Sequence, residues 1–184
     1  MLDPPASPTA PPQYRVHLDT TAGLIAIEVD RAWAPRGADR FYELVQRGFY
    51  DGVALFRVVP GFVAQFGLHG DPRVNKVWRD ARIPDDPVRA KNERGTICFA
   101  TSGKDARTTQ VFLSLRDNSR LDAMGFAPFG RVQDLSVAER FYSEYGEGPP
   151  GGQGPHQSRI VKEGDAYLSP NFPKLDRIRS ARLV

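Results

Sequence analysis

The sequence is poor in the residues that build disulfides and metal sites. Its 184 residues include one cysteine and three histidines. A lone cysteine excludes an internal disulfide, and the apolar neighbours of Cys98 indicate a small core residue instead of a catalytic thiol. His17, His69 and His156 are far apart and lack the spacing of metal ligands. We therefore expect no metal and no cofactor.

Long hydrophobic runs and a strong charge bias are also missing. No stretch reaches the apolar length of a membrane span, and the first residues, MLDPPASPTAPP, have neither the basic nor the apolar part of a signal peptide. The formal net charge is +3, but the cations are scattered among acids, so no nucleic-acid partner is expected. The sequence also contains no Gly-x-Ser-x-Gly elbow and no phosphate-binding glycine loop.

What is present suffices for one domain. An apolar content of 40% over 184 residues is ordinary for a globular protein. Residues 1–13 are rich in proline and predict a disordered tether, and residues 14–184 predict the folded domain. We expect the chain, as given, in the cytoplasm, or in the periplasm or tethered to the envelope if a preceding signal segment has been removed.

The apolar pattern of the first half predicts a hairpin and a helix. Residues 14–18 and 24–29 alternate between apolar and polar side chains, as two paired strands do. A helix is predicted to begin at Pro35, because apolar residues then recur at helical spacing. Its charged side chains, Arg40 and Glu43 among them, are expected on the solvent side.

The second half of the chain predicts more strands and a second helix. Ser136 and Glu139 fit a capping box, which predicts a helix over residues 136–145. The charged segment 68–94 and the Gly/Pro-rich segment 147–157 are predicted to be irregular. Many short strands with two helices fit an antiparallel β-barrel. Further strands are predicted at residues 96–100, 111–115, 126–132 and 177–183; the last would pair with the first strand, and Pro128 would mark an edge or a bulge.

The stretch ALFRVVPGFVAQFG, residues 54–67, places polar groups inside an apolar run. Pro60 and Gly61 predict a tight turn between two strands. Arg57 and Gln65 then lie on strand faces among aliphatic side chains. An arginine here is costly to bury unless it is paired, so it either forms an internal salt bridge or lies at the rim of a groove.

Three ordered motifs resemble one protein family. The run FRVVPGFVAQ resembles the central signature of the cyclophilin-type peptidyl-prolyl isomerases, and GTICFATSGKDARTTQVFLSL and LDAMGFAPFGRV are similar to the next two motifs of that family. The resemblance covers most of residues 14–184 and is weakest after Gly146. It implies a closed eight-stranded antiparallel β-barrel capped by two α-helices. It also implies a monomeric isomerase without cofactor, whose partners are proline-containing peptides and unfolded or flexible protein segments.

The resemblance also implies which residues act. Arg57 would stabilise the twisted peptide bond, because its guanidinium stays charged and can donate to the pyramidal prolyl nitrogen. Phe126 would supply apolar surface in place of a histidine of the family. The residues implied to bind substrate, as a slot for the proline ring or as partners of the peptide backbone, are Phe62, Val63, Gln65, Ala100, Thr101, Gln110, Phe112, Leu121 and Phe126.

Two alternatives remain open in the sequence. Arg120 occupies the position where the family most often has a tryptophan, but it also fits a solvated loop cation. The indole at that position is tied to the binding of cyclosporin-type macrocycles, so the resemblance implies weak sensitivity to them. Because the pocket wall is altered here, the alternative function is a proline-peptide binding module or a chaperone holdase that uses the same groove without catalysis.

Overall fold

The computed structural model describes residues 1–3 and 5–184. Within this range the protein is mainly β, with four α-helices and two 3-10 helices, Ser119–Met124 and Ala138–Arg140. The strands are β1 (Gln13–Thr20), β2 (Gly23–Asp30), β3 (Arg57–Val59), β4 (Val63–Phe66), β5 (Thr96–Phe99), β6 (Val111–Ser114), β7 (Pro128–Val132) and β8 (Ile178–Leu183), and the helices are α1 (Pro35–Gln46), α2 (Pro72–Trp78), α3 (Gln157–Glu163) and α4 (Asp165–Asn171).

The eight strands form one antiparallel sheet in the order β3-β4-β6-β5-β7-β2-β1-β8. The prediction of a closed barrel is wrong, because the sheet curls into an open half-barrel whose outer strands, β3 and β8, are not paired. β3 itself does not pair with β8, but the segment just before β3 does contact it. This contact includes an isolated bridge between Ala54 and Arg177 and a hydrogen bond of 2.9 Å from the Ile178 N–H to the Val53 carbonyl. β3 is three residues long, too short to continue this contact as a ladder.

The sequence periodicity predicted the strands well. In the β1–β2 hairpin, Val16 lies opposite Ile27, and both are buried with every second neighbour. β8 pairs with β1 as predicted. Pro128 is the first residue of β7, and the register with β5 shifts between Ile97 and Cys98, so the predicted bulge is confirmed.

Helix α1 packs against β7 and β8. Phe41 and Leu44 are fully buried there. The prediction that Arg40 and Glu43 face solvent is wrong: they are only 4% and 2% exposed, and their side chains lie 3.7 Å apart. Both are covered because Arg40 lies against the Trp78 ring at 5.4 Å and because residues 6 and 7 donate their N–H groups to Glu43.

The predicted second helix is absent. Residues 138–140 form one 3-10 turn, and no α-helix covers residues 136–145. The capping box fails because the Asp134 carboxylate accepts the Ser136 N–H at 2.8 Å, while Glu139 pairs with Arg94. Helix α2 lies in the segment that was predicted to be irregular.

Helices α3 and α4 cover the open side of the half-barrel. They bring a small apolar cluster onto the residues that flank β3, separate from the main core. This packing shields the short edge strand from solvent. The buried members of the cluster are Ala54, Phe56, Leu68, Ile160, Tyr167, Leu168 and Leu175.

The N-terminal segment lies beside α1 and α2. The Met1 carbonyl accepts a hydrogen bond of 2.9 Å from the Trp78 indole, and the Ala10 N–H donates to Asp39 at 2.9 Å. The disordered tether over residues 1–13 stays a prediction, which amide exchange at Ala10 would test. None of the helices in the described part of the chain is long and apolar enough to cross a bilayer.

Candidate active site

The turn between β3 and β4 opens onto a cavity of about 620 Å³. The structure brings every residue that the sequence assigned to the site to the lining of this one cavity. They come from the three strands β3, β4 and β6, from the turn between β3 and β4, and from the loops that follow β5 and β6. The lining includes Arg57, Phe62, Val63, Gln65, Ala100, Thr101, Gln110, Phe112, Leu121 and Phe126.

A row of polar side chains runs along one wall of the cavity. Arg57 on β3 lies directly opposite Gln65 on β4, which follows from the tight turn between them. The Arg57 Nη1 donates to the Gln65 Oε1 at 2.9 Å, and the Gln65 Nε2 donates to the Gln110 Oε1 at 2.9 Å. Each amide therefore holds the next side chain in place, and the guanidinium is at the end of the row.

Arg57 has a second partner that the sequence did not predict. Glu147 accepts hydrogen bonds from the Arg57 Nε and Nη2, both at 2.6 Å. The hydrogen bonds from Arg57 hold the pKa of the Glu147 carboxyl below its usual value. The two alternatives considered for Arg57 are thus both realised, since it is paired internally and also lines the groove. Glu147 follows Arg57 by 90 residues and lies in a Gly/Pro-rich loop, so no local pattern pointed to it.

An apolar slot lies beside this polar row, since Phe112 on β6 pairs directly with Gln65 on β4. Val63, Phe112 and Leu121 form a buried cluster together with Cys98, and Phe62, Ala100 and Phe126 pack against it at the surface. The rings of Phe112 and Phe126 meet edge to face with centroids 5.7 Å apart, so Phe126 does contribute aromatic surface here. Burial raises the pKa of the Cys98 thiol well above its usual value, which fits an inert residue at the base of the slot.

The end of β5 forms the rim beside the slot. The Ala100 N–H donates to the Gln110 carbonyl at 3.0 Å, which leaves the carbonyl of Ala100 as the group through which this residue could meet a peptide. The Thr101 hydroxyl accepts the Gly103 N–H at 3.2 Å, so it belongs to the turn of its own loop.

Arg120 lies next to the cavity but does not line it. It sits on the 3-10 helix Ser119–Met124, with its guanidinium carbon 4.9 Å from the centroid of the Phe62 ring. Together with Phe62 and the loop 116–119 it borders a separate depression of about 240 Å³. The residue is therefore exposed, as a solvated loop cation is, and it also contacts the site through one aromatic ring.

The cavity extends beyond the residues that the sequence identified. Helices α2 and α3 add a second region to it, which includes two exposed arginines. A local signal for α2 exists in the sequence, because Asp71 followed by Pro72 is a favourable start of a helix, and Asp71 does accept the Arg73 N–H. The additional lining residues on and around these helices are Leu68, Asn75, Trp78, Arg79, Arg82, Gln157 and Val161.

The histidines take no part in this cavity. Among residues 1–3 and 5–184 no group of three or more His, Cys, Asp or Glu side chains could hold a metal ion. The His69 Nδ1 accepts the Asp71 N–H at 2.9 Å, and burial lowers the pKa of His69. The Asp71 carboxylate is bound to Arg73 instead. His69 and Asp71 thus form a local turn.

Comparison with known proteins identifies a similar family. The family model described as "Cyclophilin type peptidyl-prolyl cis-trans isomerase/CLD" matches residues 15–140. The chain is 36% identical to peptidyl-prolyl cis-trans isomerase A of Dickeya dadantii over 131 residues, which cover 68% of this chain and 69% of the relative. It is 35% identical to peptidyl-prolyl cis-trans isomerase-like 1 of Rhizopus delemar over 129 residues, which cover 68% of this chain and 78% of the relative.

Solved structures share the fold over nearly the whole chain. A cyclophilin-type peptidyl-prolyl cis-trans isomerase of Cryptosporidium parvum superposes with a TM-score of 0.68 at 18% identity and covers 94% of this chain and 98% of its own. A cyclophilin from Hirschia baltica gives 0.68 at 18% identity, over 95% of this chain and 75% of its own. The C. parvum protein was also solved in the presence of the dipeptide Ala-Pro, with a TM-score of 0.66 at 18% identity over 92% of this chain and 98% of its own.

Proposed function

Because the chain belongs to the family of cyclophilin-type peptidyl-prolyl cis-trans isomerases, we propose that its Arg57 cavity is the place where X-Pro peptide bonds are rotated. The observation that carries this proposal is the pairing of two walls in one cavity. One wall carries a fixed guanidinium in line with Gln65 and Gln110, and the other is an apolar slot built on Phe112. The apolar slot can hold the proline ring, and the guanidinium can donate a hydrogen bond to the twisting amide.

The reaction breaks no bond, so the site has to favour only the twisted amide. The barrier to rotation is about 18 to 20 kcal/mol, because resonance ties the nitrogen to the carbonyl. When the bond twists, the prolyl nitrogen gains a lone pair that can accept a hydrogen bond. Arg57 can supply it: three of the five N–H groups of a guanidinium are engaged here, one each on Nε, Nη1 and Nη2, which leaves two.

The apolar slot contributes by holding the ring and by excluding water. A charged donor is more effective when its surroundings are partly dry, since the effective dielectric constant is lower there. Bringing an isomerisation of tens of seconds to about a millisecond requires roughly 10⁴-fold acceleration, or about 5.5 kcal/mol. We attribute this lowering of the rotation barrier to one charged donor together with a slot that fixes the proline ring.

We also propose the organisation in which this site works. Residues 14–184 form a single domain, because α3, α4 and β8 complete the packing around the sheet. The protein acts as a monomer, and it binds proline-containing peptides and unfolded or flexible protein segments, since the cavity combines an apolar slot with a few polar groups. No cofactor enters this chemistry.

The test is the isomerisation rate of a short X-Pro peptide, measured by exchange NMR or by a protease-coupled assay. Wild type should accelerate it, and Arg57→Ala should reduce kcat/KM by about 10²- to 10³-fold, as the loss of one preorganised donor does. Arg182→Ala is the matched control, because this exposed arginine also pairs with a carboxylate, Asp51, but on the far strand β8. If wild type shifts the peptide's resonances without adding cis/trans exchange, the protein is a proline-peptide binding module and the proposal is wrong.

A further inference from the structure

The ion pair between Arg57 and Glu147 has the geometry of a clamp. The two carboxylate oxygens meet two different nitrogens of the same guanidinium, both at 2.6 Å, so the plane of the guanidinium is fixed as well as its position. The third side of the guanidinium is held by Gln65 at 2.9 Å. The Arg57 side chain is 21% exposed and that of Glu147 is 41% exposed, so this pair is partly shielded from solvent.

The loop that carries Glu147 donates backbone N–H groups to this residue. The Glu147 carboxylate also accepts the Gly148 N–H at 3.0 Å, and the Glu147 carbonyl accepts the Gly154 N–H at 2.9 Å. A Cβ added at Gly152 would lie 2.3 Å from the Glu147 carbonyl oxygen, so only glycine fits there without a shift of the backbone. The glycines therefore let the loop fold closely around the residue that holds Arg57.

The Glu147 carboxylate binds Arg57 without being part of the cavity lining. Arg57, Gln65 and Gln110 line the 620 Å³ cavity, whereas Glu147 is not part of its lining. A carboxylate that blocked the site would project into the cavity and take the N–H groups that face it. The observed arrangement uses two N–H groups of Arg57 for the clamp and one for Gln65, which leaves two on a residue that lines the cavity.

We propose that Glu147 is a positioning residue for Arg57, an inference that rests on the proposed function of the cavity. An arginine side chain has many rotamers, and each one populated away from the prolyl nitrogen lowers the rate. Glu147 removes this freedom in advance, so that the guanidinium is already oriented when the peptide binds. Its effect is on the twisted state more than on the bound ground state, so its loss lowers kcat more than it changes KM.

The pH profile separates positioning from a merely structural role. Arg57 is the charged side chain that contacts Glu147 from the sheet, and Gln65 beside it is neutral. On the loop's own side the contact is the Gly148 N–H, and the neighbouring Glu144 carboxylate is taken by the Tyr142 hydroxyl. Because Arg57 lowers the pKa of Glu147, the clamp is intact at neutral pH and is lost as the pH falls through that lowered pKa, below 4.5.

The experiment compares wild type with Glu147→Gln and Glu147→Ala. Both variants should lose about tenfold to a hundredfold in kcat, the range expected for a misplaced catalytic group, with a small change in KM. The kcat of wild type should fall at acid pH, which gives the pH profile an acid limb, and Glu147→Gln should lack this limb.

Glu163→Gln is the matched control, because the Arg159–Glu163 pair has the same bidentate geometry, at 2.6 and 2.8 Å, and Glu163 is 41% exposed, as Glu147 is. This control should keep wild-type kinetics and the acid limb.

A spectroscopic measurement at neutral pH makes the test independent of acid stability. The Nε–H resonance of Arg57 should be shifted and protected from exchange in wild type, and both properties should be lost in Glu147→Ala. Gly152→Ala, which displaces the loop without touching the cavity, should give the same loss. The inference is overturned if wild type is active while Glu147→Gln retains its kcat or Arg57 keeps the protected resonance. An inactive wild type would instead refute the proposed function.

Discussion

At the scale of single residues, Phe62 is the point where two cations meet. The guanidinium carbons of Arg57 and Arg120 lie 5.5 and 4.9 Å from the centroid of its ring. Each contact is favourable on its own, since a cation is attracted to the electron-rich ring face. Of these two arginines, Arg57 alone has a carboxylate partner among residues 1–3 and 5–184, so the charge of Arg120 remains available at the rim of the groove.

Arg120 gives a prediction about inhibition by cyclosporin-type macrocycles, which rests on the resemblance of its position to that of a tryptophan. The loss of a buried aromatic contact and its hydrogen bond costs about 2 to 4 kcal/mol, or about 30- to 1000-fold in affinity. Wild type should therefore be weakly inhibited, and Arg120→Trp should be inhibited more strongly. Inhibition constants are compared with peptide turnover on the same samples. Tight inhibition of wild type would show that another residue, with Phe126 the first to examine, replaces the indole.

At the scale of elements, one buried carboxylate joins three segments. Asp86 accepts the N–H groups of Arg36 and Gly37 at 3.1 and 2.9 Å and so caps helix α1, whose own N-cap residue makes no side-chain bond. The same carboxylate pairs with the buried Arg107 at 3.1 Å. Arg107 lies in the loop between β5 and β6 that supplies Thr101 and Gln110 to the cavity, so this loop is tied to α1 through Asp86.

Removing this carboxylate should be costly. Asp86→Ala leaves two helix N–H groups without this partner and leaves the buried Arg107 with the more exposed Asp85, 3.4 Å away, as its carboxylate partner. Breaking a buried ion pair costs up to about 3 to 5 kcal/mol in the free energy of unfolding. Urea denaturation measures it. Asp80→Ala breaks an exposed pair with Arg79 and should change little. If both variants lose the same small amount, Asp86 does not organise the three segments.

The elements also show what a sequence can predict. The strands and α1 follow from periodicity, because each buries one regular face. The helix over residues 136–145 was predicted from a capping box of Ser136 and Glu139. In the structure Asp134 accepts the Ser136 N–H and Arg94 pairs with Glu139. A local sequence pattern does not show such competing partners. The cavity residues were identified from ordered motifs, whereas Glu147 was missed because long-range pairing across an irregular loop leaves no local trace.

At the scale of the whole molecule, an open half-barrel has to protect its edges. The short strand β3 is covered by α3 and α4, and their apolar contact with Ala54 and Phe56 replaces the pairing that a closed barrel would have. Helix α3 also brings Gln157 and Val161 to the cavity. Stability of the edge and the shape of the groove therefore depend on the same packing.

Ile160 tests whether the packing of α3 and α4 protects the edge of β3. It is fully buried in the apolar cluster that these helices form with Ala54 and Phe56. Ile160→Ala should lower the free energy of unfolding by about 2 to 5 kcal/mol, as large-to-small changes in a core do. It should also increase aggregation at high concentration, since the edge of β3 becomes accessible. Lys162→Ala, on the exposed face of the same helix, is the control. Equal stability of the two variants in urea would show that the helices do not seal the sheet.

The ion pair of Arg57 crosses a boundary that matters for protein engineering. Arg57 lies inside residues 15–140, the part matched by the family model, and Glu147 lies outside it. A chimera that keeps this matched part and takes its C-terminal segment from a relative would retain the guanidinium but replace the side chain that orients it. The turnover of such a chimera would therefore depend on whether the new C-terminal segment places a carboxylate beside Arg57, even though Arg57, Gln65 and Gln110 themselves are unchanged.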